Sequence, residues 1–168
     1  MAHPDAVMTF AYDWRLPVAV SGRRLAQKAR EHLQRWLEHP AYAGARQQAV
    51  DERPAQLVFL AHPMGGLVTY AALTLGDDSD LPADTRGVMT LGTPFQGSVV
   101  AANILNTVQG GPLPLPHSRL AAAAAMMPAV HELLPRFLCL EDGLQVRHLT
   151  PSDVADIGGR QRPVQSSP

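Results

Sequence analysis

The chain alternates short apolar runs with longer segments in which apolar residues recur at helical spacing. The apolar runs are five or six residues long, the length of a buried strand, and they lie at residues 7–12, 56–61 and 87–91. Segments with helical periodicity or an extended apolar stretch follow the first two runs. Strands that alternate with helices predict an α/β fold, here with a parallel sheet of about three strands and flanking helices.

The predicted first helix has an apolar stripe formed by Leu25, Ala29 and Leu33. Ser21 is a candidate N-cap, since its hydroxyl can accept a hydrogen bond from a backbone N–H of the first turn. His39-Pro40 predicts the end of this helix, and the polar residues 40–54 predict a loop. A second helix is predicted at residues 64–75, directly after the middle strand.

The character of the sequence changes after Gly97. Residues 99–108 and 120–127 favour helices, and the proline-rich stretch 110–116 predicts an extended hinge between them. Further prolines divide the remaining sequence into short pieces. The chain is therefore expected to have three parts: a core at residues 1–97, a mostly helical cap or lid-like segment at 98–157, and a flexible tail at 158–168.

The composition excludes several classes of function. The formal net charge is −1 and Lys28 is the only lysine, so the basic patch that binds nucleic acid is absent and no nucleic-acid partner is expected. Charged residues make up 17% of the chain, below the usual fraction of about 25%, which indicates apolar surface that another surface covers. The seven histidines are not spaced with cysteine or aspartate as metal ligands are, so no metal is expected.

The cellular setting follows from the cysteine count and the N-terminus. Cys139 is the only cysteine, so no internal disulfide can form. The first residues lack the basic and apolar regions of a signal peptide. No apolar run approaches the length of about 20 residues that spans a bilayer. We therefore expect a cytoplasmic protein without a transmembrane segment.

The junction between the middle strand and the second helix resembles a known catalytic device. In α/β-hydrolases a strand, a sharp turn and a helix carry the nucleophile at the apex of the turn, in the pattern small-x-Ser-x-Gly. The corresponding residues here are Ala61-His62-Pro63-Met64-Gly65. The order of elements is that of an acyl-transfer enzyme, but proline occupies the position of the attacking serine.

Four stretches together resemble the lecithin:cholesterol acyltransferase-like family of the α/β-hydrolase superfamily, and they lie at residues 10–15, 58–68, 88–98 and 128–136. They occur in the family's order, and the resemblance covers roughly residues 9–157. It implies a partial α/β-hydrolase fold and an ancestry among enzymes that hydrolyse or transfer fatty acyl esters through a Ser-Asp-His triad, without a cofactor. It also implies a lipid or acyl-ester ligand, with residues 98–157 as the part that contacts lipid.

The sequence departs from that family at three places. Pro63 has no hydroxyl, and it locks φ near −65° where the family's nucleophile has a positive φ. The triad Asp and His of the family follow the cap and cannot be mapped onto this sequence. In the family, the first strands precede the strand that corresponds to residues 7–12. One of those earlier strands lies between it and the strand that corresponds to residues 56–61. Unless these two pair directly, open strand edges and bare apolar faces are expected.

The resemblance assigns roles to six residues. Pro63 is the degenerate nucleophile position, and the backbone N–H of Met64 occupies the position of one oxyanion-hole donor. The candidate substrate-binding residues are Trp14, His62, Thr93 and Phe95. For three of these residues a structural role is the competing interpretation. Trp14 would be a core tryptophan, His62 a residue packed beside the turn, and Thr93 a side chain that holds the turn around Pro94.

The residues therefore predict an acyltransferase or esterase relative that is catalytically inactive as written. The alternative is a non-catalytic module that binds a lipid or a protein, with self-association through open sheet edges as one outcome. A third alternative is that Pro63 replaces serine through a one-base change or an error. Cys139 paired with His131 or His148 is a further candidate, against the simpler role of a small buried hydrophobe.

Overall fold

A computed structural model of the protein describes residues 3–47, 53–75, 80–105 and 122–153. The chain divides into two units, Met1–Phe95 and Gln96–Pro168. The assignment of residues 1–97 to a core and 98–157 to a lid remains a prediction. The predicted hinge at 110–116 and tail at 158–168 lie outside the described residues.

The longest element of the first unit is helix α1, Val18–Leu37. It begins after Pro17, whose carbonyl accepts from the backbone N–H groups of Val20 and Ser21. The prediction that Ser21 caps this helix is therefore wrong: Ser21 lies inside α1 and is buried. The predicted apolar stripe of α1 is confirmed, since Leu25, Ala29 and Leu33 are all buried.

Two further helices follow in the first unit. The short helix α2 spans Pro40–Gln47, where a polar loop was predicted. Helix α3 spans Gly65–Thr74 and packs against α1. Helices α1 and α3 meet closely, because a Cβ at Gly22 would lie 2.6 Å from the Cβ of Ala71. The core of this unit is built between them from Leu25, Ala26, Ala29, Val68, Ala72 and Leu81.

The sheet of the first unit has two strands. Strand β1, Leu57–Ala61, confirms the predicted middle strand, and it pairs in parallel with β2, Thr85–Thr90. The described residues show a mixed α/β fold with two of the about three parallel strands that were predicted, because residues 7–12 join no ladder. The side chains of 7–12 still alternate as in a strand, with Met8, Phe10 and Tyr12 packed against the core. A strand needs a hydrogen-bonded neighbour, and none of the described segments lies beside this one.

One face of the two-stranded sheet rests on the helices and the other is bare. Leu57 and Phe59 of β1 pack against the core. Val58, Leu60 and Met89 point the opposite way and are 67%, 70% and 60% exposed. These three residues are called the bare face below.

The second unit has its own small core and is not purely helical. Helix α4 spans Val99–Leu105, residues 122–125 form a helical turn, and α5 spans Pro128–Glu132. Strands β3, Leu140–Asp142, and β4, Gln145–Arg147, form an antiparallel hairpin that the sequence analysis did not predict. The core residues of this unit are Ala101, Leu105, Ala124 and Val130. Within the described ranges, no helix is long and apolar enough to cross a bilayer.

Candidate functional site

The backbone of the turn between β1 and α3 has the same right-handed helical conformation as α3. The N–H of Gly65 donates to the carbonyl of His62 at 3.4 Å, and the N–H of Gly66 donates to the carbonyl of Pro63 at 3.3 Å. Met64 has φ −67° and ψ −23°, which is right-handed helical geometry. The turn therefore leads directly into the first turn of α3.

Pro63 lies in the middle of this turn and is exposed. Its ring fixes φ at a negative value and it carries no group that could attack a carbonyl carbon. Met64 follows it, and its backbone N–H has no hydrogen-bond partner among the described residues. That N–H can still donate a hydrogen bond. The backbone around it has ordinary helical geometry and not the strained conformation of a nucleophile elbow.

Thr93 is brought against the start of α3. It follows β2, and a Cβ built on Gly66 would lie 2.0 Å from the Thr93 Oγ1 and 2.6 Å from its Cγ2. Position 66 therefore needs glycine because Thr93, in the loop after β2, packs against it. Close approach between α3 and strand β1 is not the reason. The Oγ1 of Thr93 is buried and has no hydrogen-bond partner, the one such side-chain atom found in the described part of the chain.

Phe95 also lies beside α3. Its ring stands edge-on to that of Tyr70, with centroids 6.4 Å apart and an interplanar angle of 78°. Both rings are largely exposed. Such an edge-to-face pair stabilises the loop on the helix and leaves an aromatic surface open to solvent.

Trp14 lies in the turn after the extended segment 7–12 and is 54% exposed, so the alternative that it is a core tryptophan is wrong. The neighbouring Asp13 accepts two hydrogen bonds from the guanidinium of Arg15, at 2.8 and 2.7 Å. Those bonds and one from the Arg15 backbone N–H lower the pKa of Asp13 from 3.8 to about 2. Asp13 is therefore a stable carboxylate that is already paired.

His62 is exposed and does not form an acid–base pair with a carboxylate. Among the described residues, contacts between histidine and carboxylate groups within 4.0 Å join Asp5 to His3 at 3.6 Å and to His39 at 3.5 Å. A general base for acyl transfer needs a histidine that a third group orients. The part of the chain that is described assembles no such arrangement beside Pro63.

A groove of about 730 Å³ lies in the first unit, between the extended segment 6–12 and strand β1. Residues of both segments line it, and α1 contributes Leu25, Ala29, His32, Leu33 and Trp36. His62 lines it, whereas Trp14, Thr93 and Phe95 do not. The sequence analysis expected open strand edges here unless 7–12 and the middle strand paired directly, and within the described residues they do not pair. The contribution of α1 to the lining was not expected.

The remaining candidates form no site. Cys139 is a half-buried free thiol whose backbone N–H donates to the carbonyl of Arg147 at 3.0 Å. Across the described ranges, no three His, Cys, Asp or Glu side chains are grouped as metal ligands would be.

Comparison with known proteins identifies a family that this chain matches. The family model described as Lecithin:cholesterol acyltransferase matches residues 2–153. No curated protein and no solved structure gives a significant match to this chain.

Proposed function

Because the chain belongs to the lecithin:cholesterol acyltransferase family, we propose that it derives from enzymes acting on fatty acyl esters and does not itself catalyse acyl transfer. The observation that supports this proposal is Pro63 in the turn between β1 and α3. Its side chain and ring offer only carbon and a tertiary amide nitrogen, and neither can form an acyl-enzyme.

Among the described residues, no neighbouring hydroxyl takes the place of the nucleophile. Thr93 is the hydroxyl residue that packs on the start of α3, and its Oγ1 is buried against Gly66 without a hydrogen-bond partner. Without a base, a hydroxyl stays protonated near neutral pH and attacks esters poorly. Loss of a triad nucleophile alone costs several orders of magnitude in rate, and what remains comes from the oxyanion hole and from binding.

Labelling with a fluorophosphonate tests this proposal. The full chain and its Pro63→Ser variant are incubated with the probe beside an active serine hydrolase as the positive control. We expect no labelling of either form, because the helical turn and the absence of an oriented histidine among the described residues leave the introduced serine unactivated. Labelling of the parent chain would overturn the proposal by revealing another nucleophile. Labelling of the Pro63→Ser variant alone would show that an activating base is present, and that Pro63 by itself silences the site.

The second candidate function is a non-catalytic module that binds a lipid or a protein. The bare face and the groove favour it, since a monomeric protein seldom leaves contiguous apolar surface open without a use. In this case His62, which lines the groove, would contact ligand without chemistry, whereas Trp14, Thr93 and Phe95 lie outside the groove. Saturable binding of a fluorescent palmitoyl ester by a monomeric protein that melts cooperatively would support a lipid ligand. Aggregation with a non-cooperative melt would count against any binding module.

A further inference from the structure

We propose that the exposed face of helix α1 docks on an anionic lipid surface, which it holds by electrostatic attraction. The inference rests on the proposed ancestry among enzymes that act on fatty acyl esters, because the hydrophobic effect keeps long-chain esters in lipid aggregates and out of water. It concerns a different surface from the turn at Pro63.

Helix α1 concentrates positive charge that the composition of the whole chain conceals. The formal net charge of the chain is −1. Helix α1 carries five basic residues and one acidic residue, a net charge of +4, so the remainder of the chain carries −5. The basic patch that the sequence analysis did not expect is therefore on this helix. Its basic residues are Arg23, Arg24, Lys28, Arg30 and Arg35.

The five cations share the solvent-facing side of α1. All of them are exposed, whereas Leu25, Ala29 and Leu33 on the opposite side are buried. Arg23 and Arg35 are twelve residues apart, so the cations extend about 18 Å along the helix axis. Because α1 packs through its apolar side, it presents these cations together to a surface that approaches from solvent.

Most of this charge is not neutralised within the described part of the chain. The ammonium of Lys28 pairs with the carboxylate of Glu31 at 2.8 Å. Arg23, Arg24 and Arg30 make no hydrogen bond or ion pair through their side chains to any described residue. Each basic residue held near an anionic membrane strengthens binding by a factor of about five.

The number of cations fits a lipid surface better than it fits nucleic acid. Clusters of about four to eight Lys and Arg residues on an amphipathic helix are typical of binding to anionic lipids, and α1 has five. A protein that binds duplex DNA commonly neutralises about six to ten phosphates. The α1 face has fewer cations than that, and one of them is already paired with Glu31.

Flotation with lipid vesicles tests the proposal on the full chain. The vesicles consist of phosphatidylcholine alone, or of phosphatidylcholine with about 30% phosphatidylserine to make the surface negative. We expect saturable binding to the anionic vesicles at about 0.1 M salt, where the Debye length is about 10 Å. Binding should be lost at about 1 M salt, where that length is about 3 Å. The zwitterionic vesicles should bind little at either salt concentration.

Two double variants of equal net charge locate the binding surface. Arg23→Gln/Arg24→Gln removes two free cations of α1 and should weaken binding to the anionic vesicles by about thirtyfold. Arg86→Gln/Arg136→Gln removes two exposed arginines outside α1 and should bind as the parent does. Glutamine forms helices nearly as well as arginine, so the α1 variant should keep its fold, which circular dichroism checks. A third variant, Arg23→Lys/Arg24→Lys, keeps the charge and should also bind as the parent does.

Four results would overturn the proposal. They are absence of binding to the anionic vesicles, binding that salt does not weaken, an equal loss in the two glutamine variants, and full displacement of the protein from vesicles by a trace of duplex DNA. The third would show that net charge and not α1 governs binding, and the fourth would identify nucleic acid as the partner. None of them changes the result of fluorophosphonate labelling, so a failure here would leave the proposed loss of acyl transfer intact.

Discussion

Gly65 and Gly66 are adjacent residues in the first turn of α3, and we expect alanine to have opposite effects at the two positions. A Cβ at Gly65 would lie 3.6 Å from the Cβ of Ala61, which is ordinary van der Waals contact. A Cβ at Gly66 would lie 2.0, 2.6 and 2.8 Å from three atoms of Thr93. The chemical change is identical, so the difference between the variants reports the contact with Thr93.

The magnitudes follow from helix propensity and overpacking. Alanine is better than glycine in a helix by about 1 kcal/mol, and by less near the end of the helix, so Gly65→Ala should stabilise the protein by about 0.5–1 kcal/mol. Overpacking costs about 1–3 kcal/mol, and rotating the Thr93 side chain does not move its own Cβ. The cost should therefore lie at the upper end, and Gly66→Ala should be destabilising by about 2 kcal/mol after the propensity gain. The two variants should differ by about 3 kcal/mol.

Urea denaturation of the full chain, followed by circular dichroism, measures this difference. With an m-value of about 2 kcal/mol per M, the midpoints should lie about 1.5 M apart. The double variant Gly66→Ala/Thr93→Ala removes the two closest atoms but keeps the Thr93 Cβ at 2.8 Å, so it should regain part of the lost stability. If Gly66→Ala is as stable as Gly65→Ala, or if the Thr93 change gives no relief, the packing of Thr93 on α3 is not as described.

Two further predictions concern a hydroxyl and a carboxylate. Thr93→Val should raise the free energy of unfolding by about 1 kcal/mol, because it replaces a buried oxygen that has no hydrogen-bond partner. Thr93→Ser keeps the oxygen and should not raise it. A valine variant that is less stable than the parent would contradict this prediction. The pKa of Asp13 is lowered to about 2, so its contribution to stability is complete above the unfolded value of 3.8 and is lost as the pH falls through about 2. In an NMR titration of the carboxyl carbon, Arg15→Ala should bring the midpoint back toward 3.8, and an unchanged midpoint would refute the pairing with Arg15.

Much of the first unit could be predicted from the sequence because its signals are local. The stripe Leu25, Ala29 and Leu33 repeats at helical spacing and is buried as expected. The strand and helix around Pro63 were also predicted, since a short apolar run and a glycine pair mark them. These signals depend on neighbours within a few residues along the chain.

The errors arose where structure depends on distant partners or on a missed turn signal. Residues 7–12 have the composition of a strand, but composition does not supply a hydrogen-bonded neighbour. The hairpin of β3 and β4 had a readable signal in Asp142-Gly143, where Gly143 has φ +64°. The gap between residues 7–12 and β1 was expected from the family resemblance, but the residues of α1 that line it were not, because they are distant from both segments along the sequence.

The proline at the turn also affects the unfolded chain. With a fixed φ, Pro63 restricts the conformations that the unfolded chain can adopt, and the folded turn accepts that φ because it already runs into α3 in helical geometry. Replacing a compatible proline typically lowers stability by about 0.4–1 kcal/mol, through the greater conformational entropy of the unfolded state. Replacing Pro63 with serine would therefore supply the hydroxyl oxygen of a nucleophile and lower the free energy of unfolding.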